Sequence, residues 1–191
     1  MKVRKMISTE EFKKRWAEPL AQPEESQISD IPFSEHDRLF LLNAGLPKDA
    51  APYLSFTQLK QGLKPIYEIW GNPQDYSDKE KSRLEPYLVF GSDGSGNPIA
   101  VDTNNECQIF LLDHENRFKT ITFMNTGISQ LAEFLLLIKE LIHKTQLELS
   151  DEQLDEGIPD SYKNNVFDAM QKIDVKAIEP DKFWKPEIEM L

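Results

Sequence analysis

Residues 87–149 constrain the fold most, because four short apolar runs separated by turn residues are followed there by one long apolar run. The short runs are bounded by Gly, Asn, Asp and Pro, which is typical of strands joined by turns. They lie at residues 87–90, 99–101, 107–112 and 118–124. Connections this short force neighbouring strands to be antiparallel. Residues 87–90 and 109–112 are apolar throughout, which predicts interior strands covered on both faces of the sheet.

The long apolar run has the spacing of a helix. Its apolar residues recur every three or four positions, and further large residues widen this face beyond a coiled-coil seam. The face consists of Ile128, Leu131, Leu135, Ile138 and Ile142, widened by Phe134, Leu137 and Leu141. We predict a helix that has Asn125 or Thr126 as its cap, ends near Leu147 and packs against the sheet.

Two helices are predicted before the sheet. Ser8 and Glu11 have the spacing of a capping box that begins a short first helix. Ser34 begins the second helix, which Gly45 ends. The stretch between these helices is rich in Pro, Glu, Gln and Ser and lacks periodicity, which indicates a surface connection. We therefore predict an N-terminal helix and connecting segment, residues 1–33, followed by an α+β domain, residues 34–191.

Weaker patterns complete the predicted domain. Residues 53–59 and 65–70 are strand candidates because aromatic and β-branched residues are enriched there, giving a mainly antiparallel sheet of about four to six strands. Residues 71–86 are polar and form either a functional loop or a solvated connection. A last helix is predicted over residues 161–173, and the apolar residues of the tail, 174–191, should attach it to the core.

The charge of the chain limits its partners. The sequence has 33 acidic and 22 basic residues and a formal net charge of −11, which opposes binding to nucleic acid. The same charge favours encounter with a basic protein, although it also serves solubility. Residues 148–160 contain six acidic residues and no Lys or Arg, and they form either a solvated linker or a docking surface.

The sequence predicts a soluble, cytoplasmic protein. No run approaches the roughly 18 apolar residues of a membrane span, so we expect no membrane association. The N-terminus has Lys2, Arg4 and Lys5, but no apolar run follows them, and we therefore expect no signal peptide. The single cysteine, Cys107, cannot form an intramolecular disulfide and is interpreted as a small buried hydrophobic residue.

No motif for catalysis, metal binding or cofactor binding is present in the sequence. The glycine-rich residues 91–97 are followed by Pro98 and a strand rather than a helix, so they predict a turn and not a phosphate loop. His36, His114 and His143 lack metal-ligand spacing. We expect no enzyme, no cofactor and no metal; a hydrolase that uses scattered carboxylates would need acidic residues clustered in one deep pocket.

Four segments resemble the SUKH superfamily, which includes bacterial immunity proteins and the fungal Smi and Knr cell-wall regulators. They are residues 42–47 at the end of the second helix, the strand and turn at 90–99, the strand that ends at Asp102, and residues 123–128 before the long helix. Thr126 and Gly127 replace the serines that are frequent in the family. Ile173-Asp174 and Phe183-Trp184 are similar to the ending of one subfamily of immunity proteins.

The resemblance implies a SUKH-like α+β domain that neutralises a partner toxin, often a nuclease or deaminase, by binding. A basic cognate toxin would suit the acidic charge, with the immunity protein acting as a monomer or weak dimer. The alternative is a regulatory scaffold or small-ligand-binding module of the Smi/Knr type. For the toxin-binding surface we predict acidic residues from the loops, namely Asp75, Asp78, Glu80, Asp93, Asp113 and Glu115.

Overall fold

A computed structural model of the chain describes residues 6–191 and shows an α+β fold. Its helices are α1 (Thr9–Trp16), α2 (Glu25–Ile28), α3 (Glu35–Asn43), α4 (Ile66–Ile69), α5 (Asp78–Leu84), α6 (Ile128–Glu148), α7 (Asp151–Asp155), α8 (Asp160–Ile173) and α9 (Trp184–Met190), with 3₁₀ turns at Thr57–Gln61, Pro73–Asp75 and Val175–Ile178. Its strands are β1 (Leu20–Ala21), β2 (Leu46–Pro47), β3 (Asp49–Ala50), β4 (Leu54–Ser55), β5 (Lys64–Pro65), β6 (Tyr87–Ser92), β7 (Pro98–Asp102), β8 (Gln108–Leu112) and β9 (Ile121–Asn125).

None of the helices in this range combines the length and the apolar character that a membrane span requires. The expectation that a signal peptide is absent depends on Lys2, Arg4 and Lys5, which lie outside the described residues.

The four strands predicted between residues 87 and 124 form the centre of the sheet as β6–β9. Each of them pairs with the next in antiparallel register, so their order along the chain is also their order in the sheet. The β6–β7 register shifts between Val89 and Gly91, and the β8–β9 register shifts between Ile109 and Phe110. The predicted α+β class with a mainly antiparallel sheet is confirmed.

Three two-residue strands extend this sheet beside β6, which gives seven strands within residues 6–191 rather than four to six. The strand predicted over residues 53–59 is reduced to β4, because a 3₁₀ turn begins at Thr57. The strand predicted over residues 65–70 is wrong, since Ile66–Ile69 form α4. Ile66 is fully buried in one cluster with Leu84, and this packing overrides the local β propensity.

Alternate residues of the central strands face two separate apolar clusters. Ile99 and Val101 of β7 lie in the large cluster with residues of α1, α3, α6 and α8. Ala100, between them, lies in the smaller cluster with Ile66 and Leu84. Both faces of the sheet are therefore covered, as the continuous apolar runs of β6 and β8 predicted.

The long helix is α6, with 21 residues, and its predicted apolar face is buried apart from Leu137 and Ile142, which are partly buried. The predicted cap is wrong, because Gly127 occupies the N-cap position. The carboxylate of Asp37 in α3 instead accepts a hydrogen bond from the backbone N–H of Ser129 at 2.9 Å. A Cβ on Gly127 would lie 2.8 Å from Asp37 Oδ2, so glycine allows this approach. The negative charge of Asp37 is favourable at a helix N-terminus.

Both ends of the described chain pack on the same core. Ser8 Oγ accepts a hydrogen bond from the N–H of Glu11 at 3.2 Å, which is one half of the predicted capping box, and α1 buries Phe12 and Trp16. At the other end Trp184 is fully buried, which confirms that the apolar tail is attached to the core. The domain boundary after residue 33 stays a prediction, and side chains from both sides of it belong to the large cluster.

The acidic residues 148–160 are not an irregular linker throughout. Ser150 caps α7, and the residues of this short helix are mostly exposed. Glu148 accepts a hydrogen bond from the Tyr162 hydroxyl at 2.8 Å. The alternative interpretation, a docking surface, stays a prediction.

Candidate functional site

The six acidic residues predicted to contact a toxin lie in loops or at a helix start near one end of the sheet. The β6–β7 and β8–β9 turns project from the same end, because antiparallel strands reverse direction at every turn. Asp93 belongs to the first turn, Asp113 and Glu115 belong to the second, and Asp75, Asp78 and Glu80 precede β6. We call residues 73–80, 93–97 and 113–117 the loop cluster.

Asn97 and His114 join the two turns. Asn97 Oδ1 accepts a hydrogen bond from the backbone N–H of His114 at 3.1 Å and lies 2.8 Å from His114 Nδ1. The side-chain nitrogen of Asn97 donates to Asp93 at 2.9 Å. The β6–β7 turn is thereby fixed against the β8–β9 turn.

Two arginines join the segment around α5 to the β8–β9 turn. Arg117 donates from Nε to the Glu80 carboxylate at 2.8 Å and from Nη2 to the carbonyl oxygen of Asp75 at 3.3 Å. Arg83 donates to the carbonyl oxygens of Phe118 and Arg117 at 2.7 and 2.9 Å. The structure thus connects all three parts of the loop cluster through hydrogen bonds.

Three of the six predicted carboxylates stabilise this arrangement. Hydrogen bonds from the backbone N–H and hydroxyl of Ser77, and then from Arg117, lower the pKa of Glu80 to about 2. Asp93 accepts hydrogen bonds from two backbone N–H groups of its own turn at 2.9 and 2.8 Å. Asp113 accepts one from the N–H two residues further along at 3.0 Å. These three side chains therefore have structural roles in the turns.

The other three carboxylates are exposed and weakly bound. Asp75 accepts one long hydrogen bond, from the N–H of Asn72 at 3.4 Å. Within residues 6–191, the carboxylates of Asp78 and Glu115 have neither a hydrogen-bond partner nor an ion-pair partner. A cation that approached this end of the sheet would meet Asp78 and Glu115 without displacing an internal contact, and would meet Asp75 with the loss of at most one long hydrogen bond.

Tyr53 is not among the predicted site residues, and it begins the segment, residues 53–59, that is predicted as a strand. Its side chain is 86% exposed, the highest value among the exposed large hydrophobic residues of the described chain. It contacts the β6–β7 turn, where a Cβ on Gly94 would lie 2.9 Å from the Cβ of Tyr53. No motif surrounds Tyr53 in the sequence, so only the structure reveals its position.

The single cysteine, Cys107, is buried in the core. Burial, and then the negative charges of Asp37 and Asp102, raise the pKa of the Cys107 thiol to about 11, so the thiol is a poor nucleophile at neutral pH. Its burial confirms the interpretation as a core residue. Among the described residues, no three His, Cys, Asp or Glu side chains form a group that could hold a metal ion.

The fold and the candidate site define an α+β domain that presents charged loops from one end of a helix-covered antiparallel sheet. The sequence model of the SUKH-4 immunity protein family matches residues 9–189, and the chain therefore belongs to the SUKH-4 immunity protein family. The resemblance to the SUKH superfamily is confirmed, and membership implies a cognate toxin as the partner. Comparisons with curated proteins and with solved structures returned no significant match.

Proposed function

We propose that this chain is a cytoplasmic immunity protein that neutralises its cognate toxin by binding it, without catalysing a reaction. The exposed carboxylates of Asp75, Asp78 and Glu115 form the proposed contact with the toxin. The single observation that supports this most is that they lie together at one end of the sheet, while the neighbouring carboxylates are already bound within the fold. We propose a basic toxin domain, such as a nuclease or deaminase.

The electrostatics favour rapid association with such a toxin. The net charge of −11 attracts a basic protein over long range, and a complementary patch raises the association rate more than it raises the final affinity. The hydrogen bonds of Arg83, Arg117 and Asn97 fix the loop cluster before binding. Less conformational entropy is therefore lost when the complex forms. The same negative charge opposes self-association, which supports a monomer or weak dimer.

The proposal is tested by co-expression with the toxin encoded in the neighbouring reading frame. The wild-type chain should restore growth and form a stable complex in size-exclusion chromatography. The triple variant Asp75→Asn, Asp78→Asn, Glu115→Gln removes three charges without changing side-chain size. Its association rate, measured by surface plasmon resonance at low salt, should fall about tenfold or more.

A matched control distinguishes the position of the charges from their number. Glu25→Gln, Glu35→Gln and Asp168→Asn remove three exposed charges that lie outside both the loop cluster and residues 148–160, and they should leave the association rate within about twofold. Equal losses in both triple variants would contradict the proposed surface. Failure of the wild-type chain to bind or neutralise the toxin would contradict the function, and specific binding to another cellular protein would favour the regulatory scaffold.

A further inference from the structure

Tyr53 is exposed beside the loop cluster, and its backbone has a conformation that is unfavourable for a tyrosine. Its φ is +59°, in the left-handed region that non-glycine residues adopt uncommonly. The side chain is 86% exposed, so burial in this chain does not compensate for the strain. Such backbone conformations are frequent at ligand clamps and other functional sites. An exposed tyrosine also supplies a large, rigid contact area at low cost in conformational entropy.

Two hollows border Tyr53 on the surface. The larger, of about 680 Å³, is mostly apolar, and its lining includes Ala50, Leu54, Ile142 and Leu191. The smaller, of about 340 Å³, is lined in part by Phe183 and Glu187. Pro52, Tyr53, Asp93 and Gly94 line both hollows. We call Tyr53 together with these two hollows the Tyr53 surface.

The ionisable groups of the Tyr53 surface are all acidic. Asp49 and Asp93 line the larger hollow, and Asp93 and Glu187 line the smaller one. Among the described residues that line either hollow, none is Lys, Arg or His. Burial, and then the negative charge of Asp93, raise the pKa of Glu187, so these two carboxyl groups lie close enough to interact. A cationic group brought to this surface would be attracted by these carboxylates.

We propose that the Tyr53 surface is a second contact for the cognate toxin, and that it accepts a basic segment whose apolar side chain enters the larger hollow. This inference rests on the proposed function and extends it from charge attraction to an apolar anchor. Asp93 belongs both to the loop cluster and to the Tyr53 surface, so the two contacts are continuous. The loop cluster would then steer association, while Tyr53 slows dissociation, as buried aromatic anchors do in other interfaces.

The acidic lining argues against a second copy of this chain as the occupant. A symmetric contact would place the same patch on both protomers. It would therefore bring Asp49, Asp93 and Glu187 of one protomer towards the same carboxylates of the other. Each protomer also has a net charge of −11, which adds long-range repulsion.

The test compares the full-length wild-type chain with Tyr53→Asn in binding to the purified cognate toxin domain. Asn tolerates the left-handed region, so this variant removes the aromatic ring without adding backbone strain. We expect its dissociation constant to rise about 30-fold, mainly through faster dissociation, as for an interface hot spot. Glu187→Gln should weaken binding a few-fold and reduce its salt dependence. Val175→Asn is the matched control and should bind like the wild type, because Val175 is 62% exposed and its neighbour Lys176 contacts Gln108, at the end of the sheet opposite the β6–β7 turn.

The outcomes separate this inference from the proposed function. If the wild type binds and the dissociation constant of Tyr53→Asn lies within about twofold of the wild-type value, the inference is overturned and the immunity function is left intact. Absence of wild-type binding would overturn both. A wild-type dimer in analytical ultracentrifugation that Tyr53→Asn dissociates would assign the surface to self-association and would also overturn the inference.

Discussion

The substitution Asn125→Ala should destabilise the fold by removing the contact between the end of β9 and the C-terminal tail. The buried indole Nε1 of Trp184 donates to Asn125 Oδ1 at 2.9 Å. The side-chain nitrogen of Asn125 lies 3.4 Å from Asp174 Oδ2. Asn125 and Trp184 are both 0% exposed, so water cannot replace the lost acceptor.

The expected cost follows from the indole N–H that the substitution leaves without a partner. An unsatisfied buried donor costs about 1–3 kcal/mol. Loss of the long contact between Asn125 and Asp174 adds little to this cost, and the small cavity left by the substitution adds a fraction of a kcal/mol. We therefore expect a loss of about 2–3 kcal/mol in the free energy of unfolding. For a chain of 191 residues this corresponds to a fall of about 5–10 °C in Tm.

Urea denaturation followed by far-UV circular dichroism measures this loss and allows a double-mutant cycle. Trp184→Phe removes the donor and keeps an aromatic ring beside Phe134 and Phe183, whose ring centroids lie 5.5 and 5.0 Å from that of Trp184. In that background Asn125→Ala should cost about 1–2 kcal/mol less than in the wild type. Additivity of the two substitutions within about 0.5 kcal/mol would refute the assigned role of the hydrogen bond.

Two further substitutions test the helix cap and the loop cluster. Asp37→Ala removes the carboxylate that caps α6 at Ser129 and should cost about 1–2 kcal/mol in urea denaturation, while Asp37→Asn should recover part of the loss; unchanged stability of the alanine variant would contradict the cap. Glu80→Gln should lower stability at pH 7, because the lowered pKa of Glu80 means that its ionised form favours the folded state. The stability difference should shrink as the pH falls from about 4.5 towards about 2, where the folded protein also binds the proton. A difference that does not change with pH would contradict this account. In Arg117→Ala the difference should shrink only in part, because the hydrogen bonds from Ser77 lower the pKa of Glu80 more than Arg117 does.

The central strands and α6 were predictable because each has enough residues to show its periodicity. The two-residue strands β3, β4 and β5 are too short to show a period. β4 and β5 also depend on pairing with β6, which is distant in sequence. The wrong strand at residues 65–70 has the same cause, since its β-branched and aromatic residues fit a strand or a buried helical turn equally well. Ile66 packs in the smaller apolar cluster on one face of the sheet, and this contact decides between the two structures. A single sequence does not contain that information.

The candidate site was predictable as a set of loops, but not as a set of available charges. Short turns between antiparallel strands place Asp93 and Asp113 at the same end of the sheet, and that step needs only the strand order. Which carboxylates are already bound depends on Arg117, Asn97 and the local turn geometry. No sequence pattern marks Tyr53, because its exposure results from the way the chain passes the β6–β7 turn.

Two of the segments that resemble the family, residues 123–128 and the C-terminal tail, meet inside the protein. Asn125 accepts from Trp184, and Asp174 accepts hydrogen bonds from the N–H and hydroxyl of Thr126 at 2.7 and 3.1 Å. Gly127 leaves the space in which Asp37 reaches the start of α6. These contacts stabilise the junction of the sheet, the long helix and the C-terminal tail. Most of the residues that make them belong to the segments that resemble the family. The family pattern at this junction therefore specifies the scaffold, and discrimination between toxins should depend on exposed residues that lie outside the resembling segments, such as Tyr53, Asp75, Asp78 and Glu115.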